Sequence, residues 1–83
     1  MKILLYPLAT EKAINMVERD NVITFIVDIR AKKQEIKNEF EKQFGVKVAS
    51  VNTKIDPKNT KKAYIKLSKE AKASDIALKL KLV

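Results

Sequence analysis

The side chains best suited to chemistry lie in the stretch Lys61-Lys62-Ala63-Tyr64-Ile65-Lys66-Leu67. With a strand's period of two, Ala63, Ile65 and Leu67 fall on one side and Lys62, Tyr64 and Lys66 on the other. The first set is core; the second presents ammonium groups and a ring. Lysine is a compact point charge that suits phosphate oxygens, and a tyrosine face can stack on an unpaired base. The same alternation also describes a plain solvated face with Tyr64 lying over lysine stems. Histidine and cysteine are absent from the 83 residues, which removes imidazole bases, thiolate nucleophiles, disulfides and the common zinc ligand sets. A catalyst would have only carboxylates, lysines, tyrosines and hydroxyls, and no pair of acids is spaced with a partner that suggests acid–base or metal work. The reading is of a non-enzyme without cofactor or small-molecule substrate.

Charge separates the two readings of the lysine face. The chain carries 18 Lys+Arg against 10 Asp+Glu, a formal net charge of +8. Residues 54–83 hold nine lysines and three acids, so most of the excess surrounds the stretch above. Such a balance points to a polyanionic partner. Only Arg19 and Arg30 are arginine. Because the arginine fork is the usual reader of guanine edges, this composition favours phosphate binding over base readout. A lysine bias is also a mark of heat-adapted proteomes, so growth temperature is an alternative source for part of it. The apolar start is cut by Pro7 short of a signal peptide's core, and no later run approaches the ~20 residues of a spanning helix. The chain is therefore read as cytoplasmic, without membrane insertion, and the lack of cysteine fits a reducing compartment.

The elements that must position this face follow from pattern. Met1 to Tyr6 is an edge strand or a tail, extended before Pro7. A helix is predicted from Ala9 to Glu18, with Thr10 as N-cap, Glu11 in the positive first turn and Asp20-Asn21 as its end. Val22 to Ile29 is a central strand, covered on at least one side. Ile36, Phe40 and Phe44 recur by four in a helix over Ala31 to Phe44, closed by Gly45 in a left-handed cap; Glu35, Glu39 and Glu41 are read as its solvated face. Val46 to Ile55 is a strand whose alternation slips, so a bulge near Ala49-Ser50 is needed to turn Val51, Thr53 and Ile55 inward with Val46 and Val48. Asp56 to Thr60 reverses the chain into the opening stretch, with Asn59 able to take a left-handed conformation. A last helix covers Ala73 to Leu80, with Ser74 or Ser68 as cap candidates. The fold class is α+β: a small sandwich of mainly antiparallel sheet packed with helices, in the order helix-strand-helix-strand-strand-helix, as one domain over 1–83.

On the outer face of the predicted hairpin, Asn52 and Lys54 come alongside Lys62, Tyr64 and Lys66, with Lys58, Asn59 and Lys61 at or near the tip. Lysines supply affinity for phosphates and asparagine can bond to sugars or base edges, so the face is suited to RNA.

The segment Lys61 to Ser68, with seven residues before Ile76, resembles the signature of the universal large-subunit ribosomal protein number twenty-three family. Pro7-Leu8-Ala9-Thr10-Glu11-Lys12-Ala13 is similar to that family's N-terminal motif, and Val51-Asn52-Thr53 to its strand before the hairpin loop. The resemblance runs over nearly the whole chain, in order. It implies a structural component of the large ribosomal subunit bound to large-subunit rRNA at the rim of the polypeptide exit tunnel. It further implies a neighbouring ribosomal protein, number twenty-nine, and a docking platform for nascent-chain factors such as the signal recognition particle. By matching positions, Lys58, Asn59, Lys61, Lys62, Tyr64 and Lys66 carry over as RNA-facing, together with Asn52, Thr53 and Lys12, while Lys54 joins them from its place on the outer face of the hairpin. Glu11 matches the glutamate associated with factor docking, although the helix dipole alone explains an acid there. The short hairpin loop and the lack of a basic N-terminal extension resemble the archaeal form. Asn59 and Lys81 stand where relatives often have glycine; asparagine replaces the first without strain, while lysine at the second suggests fraying of the last helical turn. A free-standing RNA-binding or adaptor module is the rival reading.

Overall fold

The computed structural model describes residues 2–82. Its elements are β1 (Leu4–Pro7), α1 (Glu11–Asp20), β2 (Val22–Val27), α2 (Lys33–Phe44), β3 (Val48–Ile55), β4 (Lys61–Leu67) and α3 (Ala73–Lys79). The expected α+β order is present, and the N-terminal stretch resolves as a strand that pairs antiparallel with β2. All pairings are antiparallel, in the order β1-β2-β4-β3. The central strands are therefore β2 and β4, and the outer face of β4 lies in mid-sheet.

Every residue of β2 is buried, because its two faces meet different helices. Phe25 stands opposite Ala63 and Ile23 opposite Ile65, so these share one face with Val27 and Leu67. Helix α2 covers that face. The Phe25 ring meets Phe40 edge-on at 6.0 Å and Phe44 at 6.2 Å, while Ile36 and Phe40 are fully buried. Ala73, Ile76 and Ala77 of α3 close the same core. The opposite face of β2, Val22, Thr24 and Ile26, is buried as well. Helix α1 packs over it, and Ala13 and Met16 border one cleft with Thr24. The result is three layers in which α1 covers β2 and leaves the β4–β3 half of its face open.

Local chemistry fixes the ends of these elements. The Thr10 hydroxyl accepts a hydrogen bond from the Ala13 N–H at 3.2 Å, as an N-cap should, so α1 begins at Glu11 and not at Ala9. Gly45 takes the left-handed conformation expected of it, φ 66°. At the start of α2, which is Lys33 and not Ala31, the Glu35 carboxylate accepts from the Lys32 N–H at 2.9 Å. Glu41 accepts from the Val48 N–H at 2.9 Å, pinning the start of β3. Both carboxylates thus have structural partners, where solvent alone was expected.

The expected slip in β3 lies between Val48 and Ser50, and it lets Val48 and Val51 both be buried. The inward reading fails at Ile55, which is 55% exposed. That residue occupies the last rung before the turn, at the rim of the sheet, beyond the buried cluster. In the turn, Asp56 Oδ1 accepts from the Lys58 and Thr60 N–H groups and Asn59 adopts φ 65°, the conformation its side chain tolerates.

The cap of α3 also corrects the sequence reading. Neither Ser68 nor Ser74 serves: Ser74 lies inside the helix, and the Ser68 hydroxyl is buried with no hydrogen-bond partner. The Ala73 N–H donates instead to Oδ1 of Asn21, at 2.7 Å, from the far end of α1. The Asn21 amide donates to the Ala71 carbonyl at 2.9 Å and to the Ser68 carbonyl at 3.3 Å, and its own carbonyl accepts from the Leu67 N–H. A residue read only as a turn former therefore clamps the α1–β2 corner to the β4–α3 link.

Candidate nucleic-acid interface

The open half of the α1 face is a groove. Its floor is the outer side of β4, with Lys62, Tyr64 and Lys66 in alternate positions. Across the β3–β4 pair Lys54 stands opposite Lys62, Asn52 opposite Tyr64 and Ser50 opposite Lys66, so β3 supplies one wall. Helix α1 supplies the other through Lys12, Met16 and Asp20, spaced by four along one face. Two clefts make up the groove. One, of about 110 Å³, is lined by Thr10, Lys12, Met16, Thr24, Lys54, Lys62 and Tyr64, among others. The second, of about 380 Å³, runs on past Lys12, Met16 and Tyr64 to Ser50, Asn52, Lys66 and Asp20.

Electrostatics favour an anionic occupant. Among the described residues the ion pairs are Arg19–Asp20 at 3.0 Å and Arg30–Asp28 at 3.1 Å. Both use an arginine, so Lys12, Lys54, Lys62 and Lys66 face the groove with no acid paired to them. Outside it, the Arg30 guanidinium and backbone N–H hold the Asp28 carboxyl below the usual carboxylate range. A larger cleft, about 520 Å³, lies beside α3; there Lys47, Lys72 and Lys79 are interleaved with Glu70 and Asp75, so its field is mixed.

The structure divides the residues singled out in the sequence. It brings together Lys12, Asn52, Lys54, Lys62, Tyr64 and Lys66. Lys58 and Asn59 are exposed at the hairpin tip. Lys61 and Thr53 are not part of the groove. Thr53 pairs with Ala63 on the α2 face, and the Lys61 ammonium donates to the Ala31 carbonyl at the foot of α2. Glu11 is exposed in the first turn of α1 and lies outside the groove lining. Met16, Thr24 and Ser50 were missed. The signal for Met16 was present, since Lys12, Met16 and Asp20 form a second stripe beside the buried one of Ala13 and Val17. What pattern reading lacked was the side of the sheet on which α1 packs.

The fold and groove define a class: a small basic α/β/α protein with a cationic, aromatic-bearing sheet face. Among the described residues no group of three acidic side chains gathers where a metal could be held, and no helix is long and apolar enough to cross a membrane. Within that class the chain belongs to the ribosomal protein family whose model, described as Ribosomal protein L23, matches residues 2–72. The large ribosomal subunit protein uL23 of Trypanosoma brucei brucei is 50% identical over 82 residues, covering 99% of this chain and 50% of that protein. The chain thus spans about half the length of the curated relative it matches. Its family is one of ribosomal components and not of enzymes.

Proposed function

We propose that the chain is a structural component of the large ribosomal subunit, cytoplasmic on that subunit, and that it acts over residues 1–83 as one RNA-binding unit. Its groove meets large-subunit rRNA at the rim of the polypeptide exit tunnel. The observation that carries this reading is the set Lys12, Lys54, Lys62 and Lys66 arranged without acid partners around Tyr64, in a member of a ribosomal protein family. Lysines position a phosphate backbone while the ring and Asn52 meet bases or sugars. Lys58 and Asn59 extend the contact at the tip. Lys61 and Thr53 drop out, since their side chains serve the other face.

The exposed Glu11, apart from the groove, is free to meet a nascent-chain factor such as the signal recognition particle while RNA occupies the sheet. Ribosomal protein number twenty-nine is the proposed neighbour. The short turn at Asp56 to Thr60 supports an archaeal-type assignment; the match to a eukaryotic relative carries the identification no further than the family.

Sedimentation of a tagged chain tests the core of this reading. The wild type is expected to travel with large subunits, and Lys62→Glu with Lys66→Glu to weaken rRNA binding by ~10-fold or more while the fold is kept, because both residues are partly or fully exposed. Glu11→Lys should still travel with subunits but recruit less factor. A wild-type chain that never leaves the top of the gradient would favour a free-standing RNA-binding or adaptor module instead.

A further inference from the structure

Met16, Tyr64 and Lys12 line both clefts of the groove, so they form the pinch between them. Met16 is partly exposed on α1, beside but outside the buried stripe, and Tyr64 is half-buried in mid-sheet. A flexible thioether and an aromatic side chain thus stand where the two clefts meet, and Lys12, Lys54 and Lys62 line the smaller one with them. Beneath the smaller cleft lies Thr24, directly opposite Tyr64 across the β2–β4 pair, 3% exposed, its hydroxyl without a hydrogen-bond partner. Buried hydroxyls are normally bonded, so an unpartnered one at the base of a cleft calls for an explanation.

We infer that this pinch is a slot for a single unpaired nucleotide, the base entering between Met16 and Tyr64 and the flanking phosphates resting on Lys12, Lys54 and Lys62. This rests on the RNA-binding reading above and narrows it from a basic face to a site that selects unstacked RNA. The chemistry of each group is suited to that task. Tyr64 supplies a stacking surface that tolerates any base. Met16 is unbranched and adaptable, so it can swing aside to admit a ring and then close on it. The Thr24 hydroxyl, uncovered by that movement, can donate or accept, which gives it a partner on the edge of a purine or a pyrimidine. A continuous duplex keeps its bases stacked and offers nothing to the slot, so it contacts only the lysines. The slot therefore discriminates between paired and unpaired RNA without reading sequence.

The test uses the full chain with a short single-stranded RNA carrying one 2-aminopurine and with the duplex of the same sequence. Tighter binding of the single strand is expected, with fluorescence quenched as the base stacks. Tyr64→Ala should lower single-strand affinity by about 10-fold, while Tyr64→Phe stays near wild type. Met16→Ala should reduce the quenching and leave duplex binding unchanged. Thr24→Val keeps the shape and removes the unpartnered hydroxyl, so it should not lower stability, yet it should weaken the single strand alone. A purely structural threonine would show the reverse. Equal or tighter duplex binding without quenching overturns the slot and leaves the basic face intact. Failure of both RNAs to bind overturns the slot and the RNA-binding reading together.

Discussion

At the scale of single residues, Asn21 carries more of this fold than its type suggests. It holds φ 58°, a conformation that costs most residues about 1 kcal/mol but suits asparagine, and from there its side chain closes the N-terminus of α3 while its amide satisfies carbonyls after β4. Replacement by alanine strands those groups and adds backbone strain. Asn21→Ala is expected to cost about 3 kcal/mol in urea unfolding, and Asn21→Gly, which relieves only the strain, about 2 kcal/mol. Losses below about 1 kcal/mol for both would show that water replaces the clamp readily. None of this was legible in the sequence, because an Asp-Asn pair signals a turn but not which distant backbone the side chain reaches. Thr10 and Gly45 were legible since a cap acts within a few residues of itself.

At the scale of elements, the strands were readable where one rule decided them and less so where two helices competed. The span of β4 is the one the alternation predicts, and the slip in β3 lies where its parity changes. Ile55 broke the pattern because alternation fixes a side and not whether anything covers that side. The end of α3 shows a similar limit. Lys81 adopts φ 60°, with its N–H bonded to the Leu78 carbonyl and the Leu82 N–H to the Ala77 carbonyl, a complete left-handed C-terminal motif built on lysine. The fraying expected from the absence of glycine is therefore opposed by these bonds and by partial burial of Leu82. Lys81→Gly should raise stability by roughly 0.5–1 kcal/mol, read as a higher urea midpoint at unchanged slope. A lower midpoint would show that the lysine side chain itself holds the turn.

At the scale of the whole molecule, the three layers divide the work. One face of the sheet, with α2 and α3, holds the main core; on the other, α1 covers β2 and stops, which leaves β4 and β3 as a floor and a wall. Charge composition pointed to a polyanionic partner, and alternation showed which β4 side chains share the open face. The groove itself was not foretold. It exists because the β1-β2-β4-β3 order sets the outer face of β4 next to α1, a long-range fact that no local pattern contains. That topology also separates Lys62 from its neighbour Lys61, whose ammonium is held against the foot of α2. The central claim is that this groove is the surface that meets large-subunit rRNA, and ultraviolet crosslinking of the chain on intact large subunits, followed by mapping of the crosslinked peptides, tests it most directly. Crosslinks are expected at Tyr64 and at the α1 peptide containing Lys12 and Met16. Crosslinks confined to α2 and the exposed side of β1, with none in the groove, would contradict it.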